Sequence, residues 1–122
     1  MNSNKEILQQ ANAAITHGDY EGFLSFCTED TQWTFVGEPT LHGKPAVRQW
    51  MAEAYTEPPQ FMVEHLIADG DFVTAVGKID LKDEIGISIR HAYCDVWRFE
   101  QGKMCQLTAF VLKPAPVDQD SR

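Results

Sequence analysis

The stretch His91-Ala92-Tyr93-Cys94-Asp95-Val96-Trp97-Arg98-Phe99 alternates with period 2, as a β-strand does. One face carries His91, Tyr93, Asp95, Trp97 and Phe99, and the other carries Ala92, Cys94, Val96 and Arg98. The first face is aromatic, with one carboxylate set among the rings. A strand built only for packing does not need that acid, so this is where a site is sought.

Glu100-Gln101-Gly102 follows as a three-residue loop with Gly last, which fits a type I turn closed by a G1 bulge. The final strand then runs over 103–112. This register sets Phe99 opposite Lys103, Asp95 opposite Leu107, Tyr93 opposite Ala109 and His91 opposite Val111. Paired residues share a face, so Asp95 is expected among Tyr93, Trp97, Leu107, Ala109 and Val111. A two-residue Gln101-Gly102 turn would instead place Thr108 and Phe110 beside it; the first register is preferred because Gly102 sits where the bulge needs a left-handed residue. A carboxylate in apolar surroundings has a raised pKa, since desolvation disfavours its charged form. Protonated, it donates a hydrogen bond to a substrate oxygen; ionised, it takes a proton. The plainer alternative, that Asp95 bonds a protein group and does nothing else, stays open on the strand alone.

Upstream, 61–68 and 71–81 read as strands flanking Asp69-Gly70, a two-residue hairpin signal, and Lys82-Asp83-Glu84 is a polar turn before a long strand over 85–99. The first half of the chain is helical in pattern. Ser3 and Glu6 form a capping box, and Ile7, Leu8, Ala11, Ala14 and Ile15 repeat at helical spacing up to Gly18, a left-handed cap. Asp19 caps a short second helix carrying Tyr20, Phe23, Leu24 and Cys27. A short strand over 31–36 holds Trp33 and Phe35, and 37–43 is a loop. Pro45 opens a third helix with Val47, Trp50, Met51 and Ala54 in one stripe, stopped by Pro58-Pro59. Helices first, one strand and one helix, then an antiparallel meander make an α+β domain with helices on one face of a curved sheet. We place that single domain at 1–113 and a loose tail at 114–122.

The 122-residue length fits one domain. A net charge of −8 with 10 scattered basic residues argues against nucleic acid. No run approaches a membrane span, and the first residues lack the apolar region of a signal peptide. Cys27, Cys94 and Cys105 have no metal-ligand spacing and read as reduced thiols in a cytoplasmic protein. No metal, no other cofactor and no membrane partner is expected.

Gly18-Asp19-Tyr20-Glu21-Gly22-Phe23, then Gly43-Lys44-Pro45-Ala46-Val47-Arg48, then Asp95-Val96-Trp97-Arg98-Phe99 with Gly102-Lys103-Met104, together resemble the nuclear transport factor 2-like superfamily. Within it the likeness is to the SnoaL-like and ketosteroid isomerase-like group, over about residues 5–112. The resemblance implies a cone: a strongly curved antiparallel sheet wrapped around a pocket for a small apolar molecule, packed by three N-terminal helices. It also implies a homodimer through the outer sheet face, here including Cys94, Val96, Thr108 and Phe110. Asp95 matches the isomerase acid that is kept protonated to hold an enolate oxygen. The isomerase's general-base Asp falls on Thr34 or Phe35, and its oxyanion Tyr falls near Ala11. Two of three catalytic groups are thus absent, and steroid isomerisation by that mechanism is not expected. Related cyclases and epoxide hydrolases commonly carry polar or acidic groups late in the last strand, where this chain has none.

Asp95 is therefore the candidate catalytic residue. The candidate substrate contacts are Tyr93, Trp97, Trp33, Thr34, Trp50, Leu107, Ala109, Val111 and His91, with Met51 and Tyr55 weighed as further pocket wall. His91 lies about 13 Å from Asp95 along the strand, too far for a direct bond. His42 reads as a loop histidine and His17 as a helix-end cation. His65 is unassigned to a face. Two functional readings stand: an isomerase, cyclase or hydratase/hydrolase using Asp95 on a small apolar carbonyl or cyclic substrate, and a non-catalytic binding or accessory dimerisation domain.

Overall fold

Ser3 starts the first helix as its spacing to Glu6 predicts. In the computed structural model, which describes residues 3–115, the Glu6 N–H donates to Ser3 Oγ at 3.2 Å and the Ser3 N–H donates to Glu6 Oε1 at 2.8 Å. Two amides that a helix start leaves free are thereby satisfied. α1 (Asn4–Thr16) buries Ile7, Leu8, Ala11 and Ile15. Gly18, at φ +80°, turns the chain, and Asp19 caps α2 (Tyr20–Leu24) by accepting from the Gly22 N–H at 2.9 Å.

α2 is shorter than expected. Cys27 is not its last apolar residue but the first residue of β1 (Cys27–Phe35). The last strand captures this segment: the Met104 N–H donates to the Phe26 carbonyl at 2.8 Å, and β1 pairs from Cys27 onward. The 37–43 loop holds a two-residue strand, β2 (Leu41–His42), with Leu41 opposite Trp33. α3 (Lys44–Ala54) has Pro45 in its first turn and buries Val47 and Met51.

Four long strands follow: β3 (Gln60–Asp69), β4 (Phe72–Lys82), β5 (Ser88–Glu100) and β6 (Lys103–Leu112). With β1 and β2 they build one curved, unclosed six-stranded sheet in the order β2-β1-β6-β5-β4-β3. The architecture is the expected α+β one with three helices, but the sheet is not antiparallel throughout. β1 and β6 run parallel, joined by a connection containing α3 and four strands, as a parallel pair requires a long crossover.

Three turns differ from expectation. The β3–β4 turn is Gly70-Asp71, because Asp69 pairs with Phe72; Gly70 takes φ +60°. β5 begins at Ser88, not 85, because Asp83 folds 83–87 into a turn: its side chain accepts from the Ile85 and Ile87 N–H groups at 3.0 and 2.9 Å. The β5–β6 turn is the two-residue Gln101-Gly102, at φ +51° and +78°, the double left-handed geometry of a type I′ turn. Glu100 faces Lys103, and a bulge then places both Met104 opposite Phe99 and Gln106 opposite Arg98. Cys105 is the extra residue, and it restores the parity of the strand faces. Asp95 consequently lies opposite Ala109, Tyr93 opposite Val111 and Trp97 opposite Leu107. The register is two residues from the expected one, and His91 lies beyond the last β6 pair, Ala92 with Leu112.

The helices and the concave sheet face share one core. Leu8, Leu24, Met51 and Met104 are fully enclosed, each burial favouring the fold by about 1.5–3 kcal/mol. Among the described residues no helix is long and apolar enough to cross a membrane. The tail expected at 114–122 lies outside the described residues from 116 on.

Candidate functional site

The concave face of β5 leads into a cavity of about 90 Å³. β5 contributes Tyr93, Asp95 and Trp97; β6 contributes Leu107 and Val111; β4 contributes Ala75 and Ile79. β1 adds Trp33 and Phe35, and Phe61 closes the β3 side. The helical layer supplies Asn12 and Ile15 from α1 and Phe23 from α2, while Tyr55 and Pro59 come from the segment after α3. Rings at steep angles frame the space: Trp33 and Trp97 are 5.4 Å apart at 83°, and Phe61 and Tyr93 are 6.5 Å apart at 84°. Such edge-to-face packing is favourable for aromatic quadrupoles.

Asp95 sits between two alanines, Ala75 on β4 and Ala109 on β6. Asp95 is half-buried and lines the cavity. Among the described residues no group hydrogen-bonds that carboxylate. Burial alone pushes its pKa up to about 7, because the charged form loses hydration without a partner to replace it. Near neutrality Asp95 therefore populates both its acid and its base form.

Two phenols accompany it. Burial pushes the Tyr93 and Tyr55 hydroxyls well above the usual tyrosine range, and the charge of Asp95 adds to the shift in both. Both are neutral at physiological pH and act as hydrogen-bond donors. The Trp33 indole Nε1–H is buried without an acceptor. Among the residues lining the cavity, Asp95 carries the only formal charge. One carboxylate, two phenols and an amide do not fit a metal ion.

The structure brings Asp95 together with Tyr93, Trp97, Trp33, Leu107 and Val111 at the cavity wall. Ala109 is buried beside Asp95 without lining the space. Trp50 stands behind the wall, stacked on Phe35 at 4.7 Å and edge-on to Tyr55 at 5.2 Å. Met51 is enclosed in the core. Thr34 lies between Trp33 and Phe35 and so points to the opposite face, where its hydroxyl meets that of Thr40 at 2.8 Å. His91 is buried to 9 % exposure, and its Nδ1 lies 3.0 Å from the Ile89 carbonyl; it does not reach the cavity. His17 caps α1, with Nδ1 2.7 Å from the Ala13 carbonyl. His42 is exposed on β2. His65 pairs with Val76, which faces Cys94, placing it on the outer side of the sheet.

Asn12, Ile15, Phe23, Phe35, Pro59, Phe61, Ala75 and Ile79 also line the cavity, outside the candidate set. Asn12 carried a local signal: it is a polar residue at i+4 from Leu8, beside the apolar stripe of α1. The others come from separate helices, strands and the segment after α3, so no local pattern joins them.

The SnoaL-like domain family matches residues 8–107. Among curated proteins none matches the chain. An NTF2-like protein of unknown function from Burkholderia pseudomallei superposes with a TM-score of 0.81 at 22% identity, covering 89% of this chain and 90% of that one. SalBIII, an epoxide hydrolase/cyclase-like enzyme in pyran ring formation of the polyether salinomycin, gives 0.80 at 22% identity over 88% and 89%. An epoxide hydrolase from M. tuberculosis, resembling the LEH type, gives 0.77 at 13% identity over 88% and 81%. At these identities the likeness is one of fold.

Proposed function

The chain belongs to the SnoaL-like domain family, of NTF2-like fold, and from that membership we propose that its cavity takes a small, largely apolar carbonyl or cyclic molecule on which Asp95 moves a proton. The observation that carries this reading is the cavity-facing carboxylate between Ala75 and Ala109, without a hydrogen-bond partner and with its pKa raised to about 7. A general acid or base works best when its pKa lies near the working pH. The ionised carboxylate takes a proton from a carbon beside a carbonyl, and the same group returns it to another atom of the substrate. In this reading the neutral phenols of Tyr55 and Tyr93, which line the same cavity, donate to the oxygen on which charge develops. This is isomerase or cyclase chemistry from one carboxylate. A water-activating pair of carboxylates has no second member among the cavity-lining residues.

The test is α-proton exchange of small cyclic ketones in deuterated water, followed by proton NMR. Wild-type protein is expected to accelerate exchange with a rate rising through pH 7. Asp95→Asn is expected to lose about 10²-fold, the usual contribution of a positioned base. Exchange no faster than in buffer, or unchanged in the variant, rejects the role.

A second reading, a non-catalytic binding or accessory domain, draws on the same census: the cavity holds one acid–base group of suitable pKa and no other. Retained binding of such ketones without exchange would favour it. We further propose that the protein is a cytoplasmic homodimer. Three free cysteines support the compartment. The outer sheet face supports the dimer, with Met62, Ile67, Phe72, Phe110 and Leu112 all exposed there.

A further inference from the structure

We propose that the cavity is also a receptor for small organic ammonium ions, held by the rings of its wall and by the Asp95 carboxylate. This inference rests on the same cavity as the acid–base role but does not require turnover. The rings of Trp33, Trp97, Tyr93, Tyr55, Phe35 and Phe61 all border the space. The Trp33–Trp97 and Phe61–Tyr93 pairs meet edge to face. A cation over aromatic faces is attracted by the ring quadrupole, and more so when desolvated. A box of rings closed by a carboxylate is the arrangement that recognises alkylammonium groups, where a neutral ligand would gain only from the apolar wall.

Asp95 sharpens the argument. It is half-buried, charged when ionised and, among the described residues, bonded to no protein group. Among the described residues no Lys, Arg or His lines the cavity: β4 offers Ala75 and Ile79, β6 Leu107 and Val111, and β1 Trp33 and Phe35. α1 gives Asn12 and Ile15, α2 gives Phe23 and β3 gives Phe61. The titratable neighbours are the phenols of Tyr55 and Tyr93, both held neutral. The charge on Asp95 therefore lacks a counter-ion, and a bound cation would supply one. The chain's net charge of −8 adds a field of the same sign. With the carboxyl pKa at about 7, protonation and cation binding compete. The acid form suits a neutral oxygen acceptor and the ionised form suits an ammonium ion.

The probes are tetramethylammonium, whose charge does not vary with pH, and tert-butanol, its uncharged near-isostere. Binding is followed by indole signals of Trp33 and Trp97 in NMR, in about 0.15 M salt to screen surface attraction. At pH 8.5 the cation is expected to bind at least about tenfold more tightly than the alcohol. At pH 5.5 only about one carboxyl in thirty is ionised, so the cation is expected to weaken by up to about thirtyfold while the alcohol changes little. Asp95→Asn is expected to abolish the pH dependence and to reduce the preference to what the rings alone supply. Equal affinity of the two probes at pH 8.5, or a cation affinity indifferent to pH, overturns the proposal on wild-type protein alone. If the preference is found while ketone exchange is absent, the acid–base role falls and this one stands.

Discussion

Gly77 on β4 faces Tyr93 on β5 directly across the ladder, and the Tyr93 ring occupies the space that a side chain at 77 would need. A Cβ built on Gly77 would lie 3.0 Å from Tyr93 Cε2 and would collide with the Met62 carbonyl of β3. The β3 ladder is irregular at this point, between Val63 and His65, which lets backbone approach backbone. Gly77→Ala is therefore expected to destabilise the fold by about 2 kcal/mol or more, because neither a backbone carbonyl nor a packed ring yields cheaply. Urea denaturation checks it, and wild-type stability in the variant would mean that β3 moves aside freely.

Asp95 makes stability depend on pH in the direction opposite to that of a salt-bridged carboxylate. Its folded pKa of about 7 lies above the unfolded value near 3.9. Between those values the folded state holds a proton that the unfolded state has released. The contribution of Asp95 to stability is thus greatest below about pH 4, falls as pH rises to about 7, and levels off above. Three pKa units cap the loss at about 4 kcal/mol, and water in the cavity reduces it. Asp95→Asn is expected to be about 2 kcal/mol more stable than wild type at pH 8 and nearly equal to it at pH 4. Denaturation midpoints at the two pH values decide this; no gain at pH 8 would show the carboxylate to be well hydrated.

Asp19 and Gly22 form a coupled pair at the start of α2. The Asp19 carboxylate accepts from the Gly22 N–H, and a Cβ on Gly22 would collide with that same carboxylate. Asp19→Ala is expected to cost about 1 kcal/mol, the usual value of an N-cap. Gly22→Ala, which in an unobstructed helix gains up to about 1 kcal/mol, is expected to destabilise the wild type yet stabilise the Asp19→Ala protein. A double-mutant cycle by thermal unfolding reads this sign change; additive effects would contradict it.

What was legible in the sequence was what short-range chemistry decides. Ser3, Glu6, Gly18 and Asp19 act through neighbours three or four residues away, and they stand where their spacing put them. The alternation around Asp95 assigned its face correctly even though the register was two residues off. Gln101 and Gly102 both take left-handed φ, and Cys105 bulges, so two departures from the expected loop cancelled in parity but not in position. Nothing local marks such a bulge, since it answers to what β6 must reach on β1. The parallel β1–β6 pair was hidden for the same reason: its partners are more than seventy residues apart. Thr34 was misplaced because aligning it to a catalytic position ignored its parity between two inward rings. Phe35 and Phe61 share a cavity with Asp95 because the sheet curves, and curvature is a property of the whole ladder.

The outer face of the sheet gives the last prediction. Phe72 and Phe110 lie on the same side as Cys94 and Val96, through the pairings of Phe72 with Arg98 and of Phe110 with Cys94. Phe110 is 42 % exposed and Leu112 65 %, unusual for large apolar side chains on a sheet surface left in water. A twofold contact buries each such residue twice, once on each protomer. Wild-type protein is accordingly expected to sediment as a dimer at micromolar concentration. Phe110→Asp sets a charge into both halves of the contact and is expected to weaken dimerisation at least about tenfold, with the circular dichroism spectrum unchanged. Because Phe110 faces away from the cavity, the variant should also bind cavity ligands as wild type does if the site is complete within one protomer. A wild-type monomer at micromolar concentration would leave the apolar face to another partner, and a Phe110→Asp protein that still dimerises would move the contact elsewhere.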